Sequence, residues 1–188
     1  QGDIYQKLVR YLYNGGTLVN AQILLRGIPG NTTHDGSRIV IAPDRTLFMT
    51  TGDAQIQSAP QNRNSLNGKI LRLNLNGAVP FDNPFYSSTE LSRFVWSTGH
   101  RNAQGLWWVN GRLYASEHGP NTDDEINIIE RAGNYGWPHV RGFCDKPDEL
   151  QFCEDSILVQ PIHAWATTVG VAGLDYYASD SIPEWKNH

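Results

Sequence analysis

The sequence predicts an all-β chain laid out as blades of a β-propeller. Short alternating runs of apolar and polar residues dominate, with turn residues between them. No segment carries a long helical period. A weak internal repeat supplies the architecture. The hairpin RIVIAPDRTLFMTTGD is followed after a loop by KILRLNL, and the hairpin GLWWVNGRLYASEHG is followed by EINIIE. Each unit reads as a hairpin, a polar loop with glycine and an acid or histidine, then an outer strand. Units of ~40–50 residues written this way are the sequence form of propeller blades. The chain of 188 residues would hold about four of them, where closed propellers have ~4–8. A β-sandwich is the alternative that spaced hairpins also fit.

The elements follow in chain order. YQKLVRYLYNGGTLVNAQILL predicts two strands about Asn14, Gly15 and Gly16. RIVIAPDRTLFMTT predicts a second pair, turning at Pro43 and Asp44. In GKILRLNLNG the alternation is strict, with Leu71, Leu73 and Leu75 on one face and Ile70, Arg72 and Asn74 on the other. GLWWVNGRLYAS turns at Asn110 and Gly111, the pair that suits a type I′ hairpin because both central residues need positive φ. DEINIIE and LDYYAS predict further strands.

Composition narrows the function classes. With 39% hydrophobic and only 18% charged residues, the chain has the makings of a folded core and not of a disordered tail. A net charge of -4 and a pI near 5.8 remove the electrostatic drive toward nucleic acid. No cluster of Lys or Arg suits an acidic membrane surface, and no run approaches the ~20 apolar residues of a membrane span. Small neutral molecules are the expected partners. The start at Gln1 shows no initiating Met and no signal-peptide pattern, so the chain is expected to be a piece of a larger product.

The two cysteines, Cys144 and Cys153, enclose a polar loop that a disulfide would close, which predicts an oxidising compartment, periplasmic or secreted. Two free thiols are the alternative.

Three polar loops carry the chemistry: NTTHDGSR at 31–38, GHRNAQG at 99–105 and SEHGPNTDDE at 116–125. His34 is a candidate general base because imidazole titrates near working pH, though a lone loop histidine is more often a bystander. Arg101 and Asn102 offer planar donors to a carbonyl or carboxylate, or an ion pair between blades. The Gly119–Pro120 turn beside Asp123, Asp124 and Glu125 offers the hard oxygens that Ca²⁺ prefers, although acid clusters are usually solvated and the spacing is not that of an EF-hand. Asn31 begins a glycosylation sequon whose use is not expected.

Taken together and in this order, GSRIVIAPDRTLFMTTGD, NGKILRLNLNGAVPFDNPF, GHRNAQGL, SEHGPNTDDEINIIERAGNYGWP and HAW resemble the soluble aldose and glucose/sorbosone dehydrogenases that use pyrroloquinoline quinone (PQQ). The resemblance runs from about residue 31 to the C-terminus, with weaker support before it. It implies a propeller that is six-bladed when intact, with PQQ and Ca²⁺ at the channel mouth, oxidising an aldose and passing electrons to an external acceptor. Residues 1–188 would then be a partial propeller domain lacking the first and last blades. His34 matches the base that takes the proton of the anomeric hydroxyl. Arg101 and Asn102 match residues that hold the quinone, with Arg101 also stabilising charge on its oxygen. Gly119 and Pro120 match positions whose carbonyls bind the cofactor's calcium. Glu125, Tyr135 and Asp145 match a second calcium site, and Trp165 with Thr167 or Thr168 matches the segment lining the cofactor pocket.

The departures favour a broad aldose specificity over glucose. Thr33 stands where the glucose-oxidising branch has an acid, His118 replaces its glutamine, and WATT lacks the usual proline. The early substrate-side glutamine and the later lysine and arginines that hold the PQQ carboxylates are not found, so the 188-residue piece alone is expected to bind PQQ weakly. Two other classes compete: a non-catalytic propeller used for recognition, and a calcium-dependent sugar lactonase. The sequence leaves oligomeric state open.

Overall fold

The structure, a computed structural model, describes residues 3–187. Its ten strands form three antiparallel sheets. A hairpin of β1 (Tyr5–Tyr13) and β2 (Leu18–Pro29) comes first. A sheet of β3 (Ile39–Ile41), β4 (Thr46–Thr51), β5 (Lys69–Asn74) and β6 (Val95–Thr98) follows. The last sheet holds β7 (Ala103–Val109), β8 (Arg112–Glu117), β9 (Asp124–Ile129) and β10 (His163–Trp165). Strands in each sheet lie in sequence order, as in blades built from successive hairpins. No helix of the described residues is long and apolar enough to cross a membrane.

Local chemistry sets the turns. Asn110 and Gly111 take φ of 50° and 78°, closing the β7–β8 hairpin as the dipeptide predicts. Asn14 caps the first hairpin by accepting from Thr17 N–H at 3.1 Å. Arg45 turns the chain between β3 and β4 at φ 63°, and Asp44 fixes Thr46 beyond it by accepting from its N–H at 2.9 Å.

The middle sheet is covered on both faces, which explains why every residue of β4 is buried. Leu47 and Met49 of β4 and Leu71 and Leu73 of β5 pack with Leu8, Leu25 and Ile28 of the hairpin. On the opposite face Phe48 and Ile70 pack with Leu106, Leu113 and Ala115 of the last sheet. The alternation expected in GKILRLNLNG thus separates two cores, and Leu75 joins the first of them. Arg72, on the same face as Phe48, lies 5.0 Å from the Trp96 ring and 5.6 Å from the Phe48 ring, with Asp44 and Asp82 at 2.7 and 2.9 Å.

Two sequence expectations need correction. About four blades were expected, whereas the described residues form two four-stranded sheets and one two-stranded hairpin. The segment LDYYAS forms no strand, because no neighbouring segment offers it a ladder and strand propensity without a partner yields none. KILRLNL and EINIIE are the third strands of their sheets; β6 and β10 supply the fourth.

Cys144 and Cys153 are disulfide-bonded, and Cys153 lies in the short helix α1 (Leu150–Asp155). The closed loop is tied back by Arg141, which donates to Glu149 at 2.8 Å and Asp148 at 2.6 Å.

Candidate active site

Antiparallel strands that enter from one end return to it. The loops before β3 and β7 and after β4 and β8 therefore open together, and the three polar loops meet there. His34 sits in the first of these with φ 62°. The loop lies directly on the turn after β4: a Cβ at Gly52 would stand 1.8 Å from the His34 carbonyl oxygen, so only glycine admits this approach.

His34 Nδ1 donates to Asp53 Oδ1 at 2.8 Å. The Asp53 side chain is 2% exposed and also accepts from Gln55 N–H and from the Trp137 indole, each at 2.8 Å. A carboxylate at Nδ1 selects the tautomer that leaves the lone pair on Nε2. That nitrogen lies 3.1 Å from Arg101 Nη2, while Arg101 Nη1 donates to the His118 carbonyl at 3.1 Å. The guanidinium rests over the Trp137 ring at 5.4 Å. Burial depresses the Arg101 pKa, and the charges of Asp53, Glu117 and Asp124 oppose that shift. Asn102 spends its carbonyl oxygen on Gly36 N–H at 3.1 Å. Its NH₂ has no hydrogen-bond partner among the described residues.

Beside this cluster a narrow crevice is lined by Arg101, Gly119, Pro120, Glu125, Tyr135 and Arg141 among others. The carbonyls of Gly119 and Pro120 accept no hydrogen bond from a described residue. The turn that presents them is held by Asp124, which is fully buried. Its carboxylate accepts from Gly119 N–H at 2.9 Å, Thr168 Oγ1 at 2.8 Å, Val169 N–H at 2.8 Å and Gly170 N–H at 2.7 Å. Burial works against the Asp124 anion, but these donors outweigh it and hold the pKa at about 2. Asp124 therefore organises the loop and has no oxygen to spare as a ligand.

Glu125 lies opposite Glu117 in the β8–β9 ladder. Burial, and then the neighbouring Glu117 charge, push its carboxyl up to about 8. Tyr135 stacks on His100 at 4.5 Å and uses its hydroxyl on Ile128 O at 2.6 Å and Glu130 N–H at 2.8 Å. Only its main-chain carbonyl is left for a ligating role. Asp145 is not brought to the crevice; its carboxylate is 67% exposed and faces Lys146 at 3.8 Å. Trp165 ends β10, where its carbonyl accepts from Asp123 N–H at 2.8 Å. Thr167 is exposed, and its neighbour Thr168 is the threonine that touches the site loop.

Among the described residues no cluster of three or more His, Cys, Asp or Glu surrounds a metal position. A cation here would rest on carbonyls and would relieve the repulsion between buried Glu117 and half-buried Glu125, which fits the hard-oxygen chemistry of Ca²⁺. The quinone also fits: Arg101 is a planar cation beside an aromatic wall, with one terminal nitrogen at the Nε2 lone pair of His34.

The sequence reading missed Asp53, Trp137 and Glu117 as site residues. Their signals were the TTGD and GNYGWP runs and the glutamate that ends YASE, each adjoining a polar loop.

Residues 2–188 match the family described as Glucose / Sorbosone dehydrogenase. The chain belongs to the glucose/sorbosone dehydrogenase family. Within that family it is 40% identical to quinoprotein glucose dehydrogenase B of Acinetobacter calcoaceticus, over 72% of this chain and 33% of the relative. It is 34% identical to the aldose sugar dehydrogenase of Escherichia coli, over 81% of this chain and 43% of the relative. Among solved structures, the apo soluble aldose sugar dehydrogenase of E. coli aligns with TM-score 0.79 and 28% identity, over 98% of this chain and 60% of that one. The PQQ-bound aldose sugar dehydrogenase of Streptomyces coelicolor aligns with TM-score 0.73 and 35% identity, over 87% and 49%. The chain spans less than half the length of either curated relative.

Proposed function

We propose that the full-length protein oxidises aldoses to lactones, with PQQ as the bound electron acceptor and Ca²⁺ as its companion ion. The observation that carries this reading is the continuous contact Asp53–His34–Arg101, which joins a base and a cation from different sheets at one mouth. The names of two relatives, one a quinoprotein and one solved with PQQ bound, support it.

PQQ, when bound, supplies the two-electron acceptor for the hydride that leaves the sugar's anomeric carbon. His34 Nε2 takes the proton of the anomeric hydroxyl, and Asp53 stabilises the imidazolium that results. Arg101 and Asn102 would hold the quinone, and Arg101 would supply a fixed positive charge to offset negative charge on it. The carbonyls of Gly119 and Pro120 would hold Ca²⁺. Thr33 leaves the rim beside His34 uncharged, its hydroxyl bound by Gln55 Nε2 at 2.5 Å, which favours a broad range of aldoses. Electrons would then pass to an external acceptor. The disulfide agrees with a periplasmic or secreted site of action.

A recognition module would have no use for a buried acid aimed at a histidine beside an arginine. A lactonase would need side-chain carboxylates converging on the metal. The test is reconstitution of the full-length protein with PQQ and Ca²⁺, followed by dye reduction across a panel of aldoses. Aldose-dependent reduction that disappears in His34→Ala is expected. Lactone hydrolysis without PQQ, or failure to bind PQQ, would replace this reading with one of its rivals.

A further inference from the structure

We propose that Glu117 is a positioning residue that seats Arg101 and Asn102 for the quinone, with His100 and Ser97 holding its carboxylate in place; this rests on the function proposed above. One carboxylate engages three consecutive residues. Glu117 Oε1 accepts from the main-chain N–H of Arg101 and, at 3.1 Å, from that of Asn102. Glu117 Oε2 accepts from His100 Nδ1 at 2.9 Å, and His100 Nε2 meets Ser97 Oγ at 2.8 Å. Glu117 is 4% exposed, and Ser97 and His100 are fully buried.

The arrangement resembles a Ser-His-acid relay in outline but is sealed from any substrate, so its consequence is geometric. Residues 99–102 precede β7: the N–H groups of Gly99 and His100 go to the carbonyls of Pro60 and Gly68 at 3.0 and 3.2 Å, which leaves those of Arg101 and Asn102 without a main-chain acceptor. Successive N–H groups pointing one way form a nest for an anion, and here the anion is the side chain that ends β8. The turn is gripped from below as well. Gly99 has φ 79°, and a Cβ there would stand 2.4 Å from Asn134 Oδ1, while His100 stacks on Tyr135. The main chain of Arg101 and Asn102 is thereby fixed before either side chain reaches out.

The two side chains inherit that placement. Arg101 must span His34 Nε2 and the His118 carbonyl, each at 3.1 Å, and Asn102 must meet Gly36 N–H at 3.1 Å. A strand end needs no buried carboxylate, since a neutral residue would close β8 without desolvating a charge. What the carboxylate adds is a strong acceptor able to catch two amides and an imidazole together.

The test uses the full-length protein and three variants: Glu117→Gln, His100→Phe, and His100→Asn, whose amide nitrogen can stand in for Nδ1. Amide hydrogen exchange is read at residues 101 and 102, PQQ affinity by tryptophan quenching, and kcat and sugar KM separately. Glu117→Gln and His100→Phe are expected to speed exchange at those two amides about tenfold and to weaken PQQ binding. Because a misplacement of ~1 Å costs about 100-fold in rate, kcat should fall on that order with sugar KM within about twofold. His100→Asn should stay near wild type. Unchanged exchange and kcat in Glu117→Gln would overturn the proposal, as would loss of protection spread over the whole sheet. If Glu117→Gln does not fold, the two His100 variants decide the matter by the same readings. Failure of the wild type to bind PQQ would sink the proposed function, while exchange at residues 101 and 102 would still decide the role of Glu117.

Discussion

His34 Nδ1 lies 2.8 Å from Asp53 Oδ1, a carboxylate buried behind the histidine and held by the Trp137 indole on its other oxygen. The contact orients the ring and, in the proposed reaction, would supply the counter-charge for a proton arriving at Nε2. Asp53→Asn preserves the size but replaces the anion with an amide that can present N–H to the ring. By analogy with orienting acids elsewhere, kcat should fall by at least about 100-fold. Steady-state dye reduction with saturating aldose checks this, alongside PQQ binding, which should change little.

Arg101 works through shape as well as charge. Its two terminal nitrogens reach His34 and the His118 carbonyl while its plane lies on Trp137. Arg101→Lys keeps the charge but cannot fork or stack. PQQ affinity should drop about tenfold or more, corresponding to ~1.4 kcal/mol or above. Titration followed by tryptophan fluorescence reads it directly.

The turn that would carry Ca²⁺ tolerates no side chain at its first residue. A Cβ on Gly119 would lie 1.8 Å from the Thr122 carbonyl oxygen. Gly119→Ala must rebuild the turn, and the Ca²⁺ needed for half-maximal reconstitution should rise about tenfold, a cost of ~1.4 kcal/mol. Calcium-dependent recovery of PQQ binding measures it.

Asp124 gives the fold an acid-dependent anchor. Its carboxyl is held at about 2 against an ordinary value of 3.8, because the hydroxyl and amide donors overcome the penalty of burial. A folded-state pKa below the unfolded one contributes stability that is complete above the unfolded value. That stability is lost as pH falls through the folded value. The difference in unfolding free energy between wild type and Asp124→Asn should therefore be constant above about pH 5 and shrink between about pH 4 and 2. Urea unfolding at several pH values checks it; a difference that grows toward pH 2 would contradict it.

Lys69 is fully buried and donates all three protons, to the carbonyls of Ala59, Pro60 and Asn67 at 2.7, 2.9 and 2.7 Å. These carbonyls belong to the loop that begins at the Asp53 turn. Lys69→Met leaves them without their donor and should cost about 3 kcal/mol, in the range for stripping one partner from a buried polar cluster. Chemical denaturation measures the loss.

Much of the scaffold was legible because its determinants are local. The Asn110–Gly111 turn follows from which residues tolerate positive φ, and the β5 alternation follows from the pleat. LDYYAS misled because its propensity is local while a strand needs a partner. The site was legible only in part. His34 and Arg101 stood out through the family resemblance, and loop chemistry alone left both open. Asp53 and Glu117 did not stand out, because an acid in a polar loop reads as solvated until packing buries it. That packing is long-range: Trp137 reaches Asp53 across 84 positions.

The most direct test of the central claim is rapid mixing of the PQQ-loaded full-length protein with an aldose deuterated at its anomeric carbon. Quinone absorbance should be lost several-fold more slowly than with the protonated sugar, and His34→Ala should slow both by at least about 100-fold. Quinone that stays oxidised, or that is reduced at a rate indifferent to deuterium and to His34, would contradict a sugar-oxidising centre built on His34, Asp53 and Arg101.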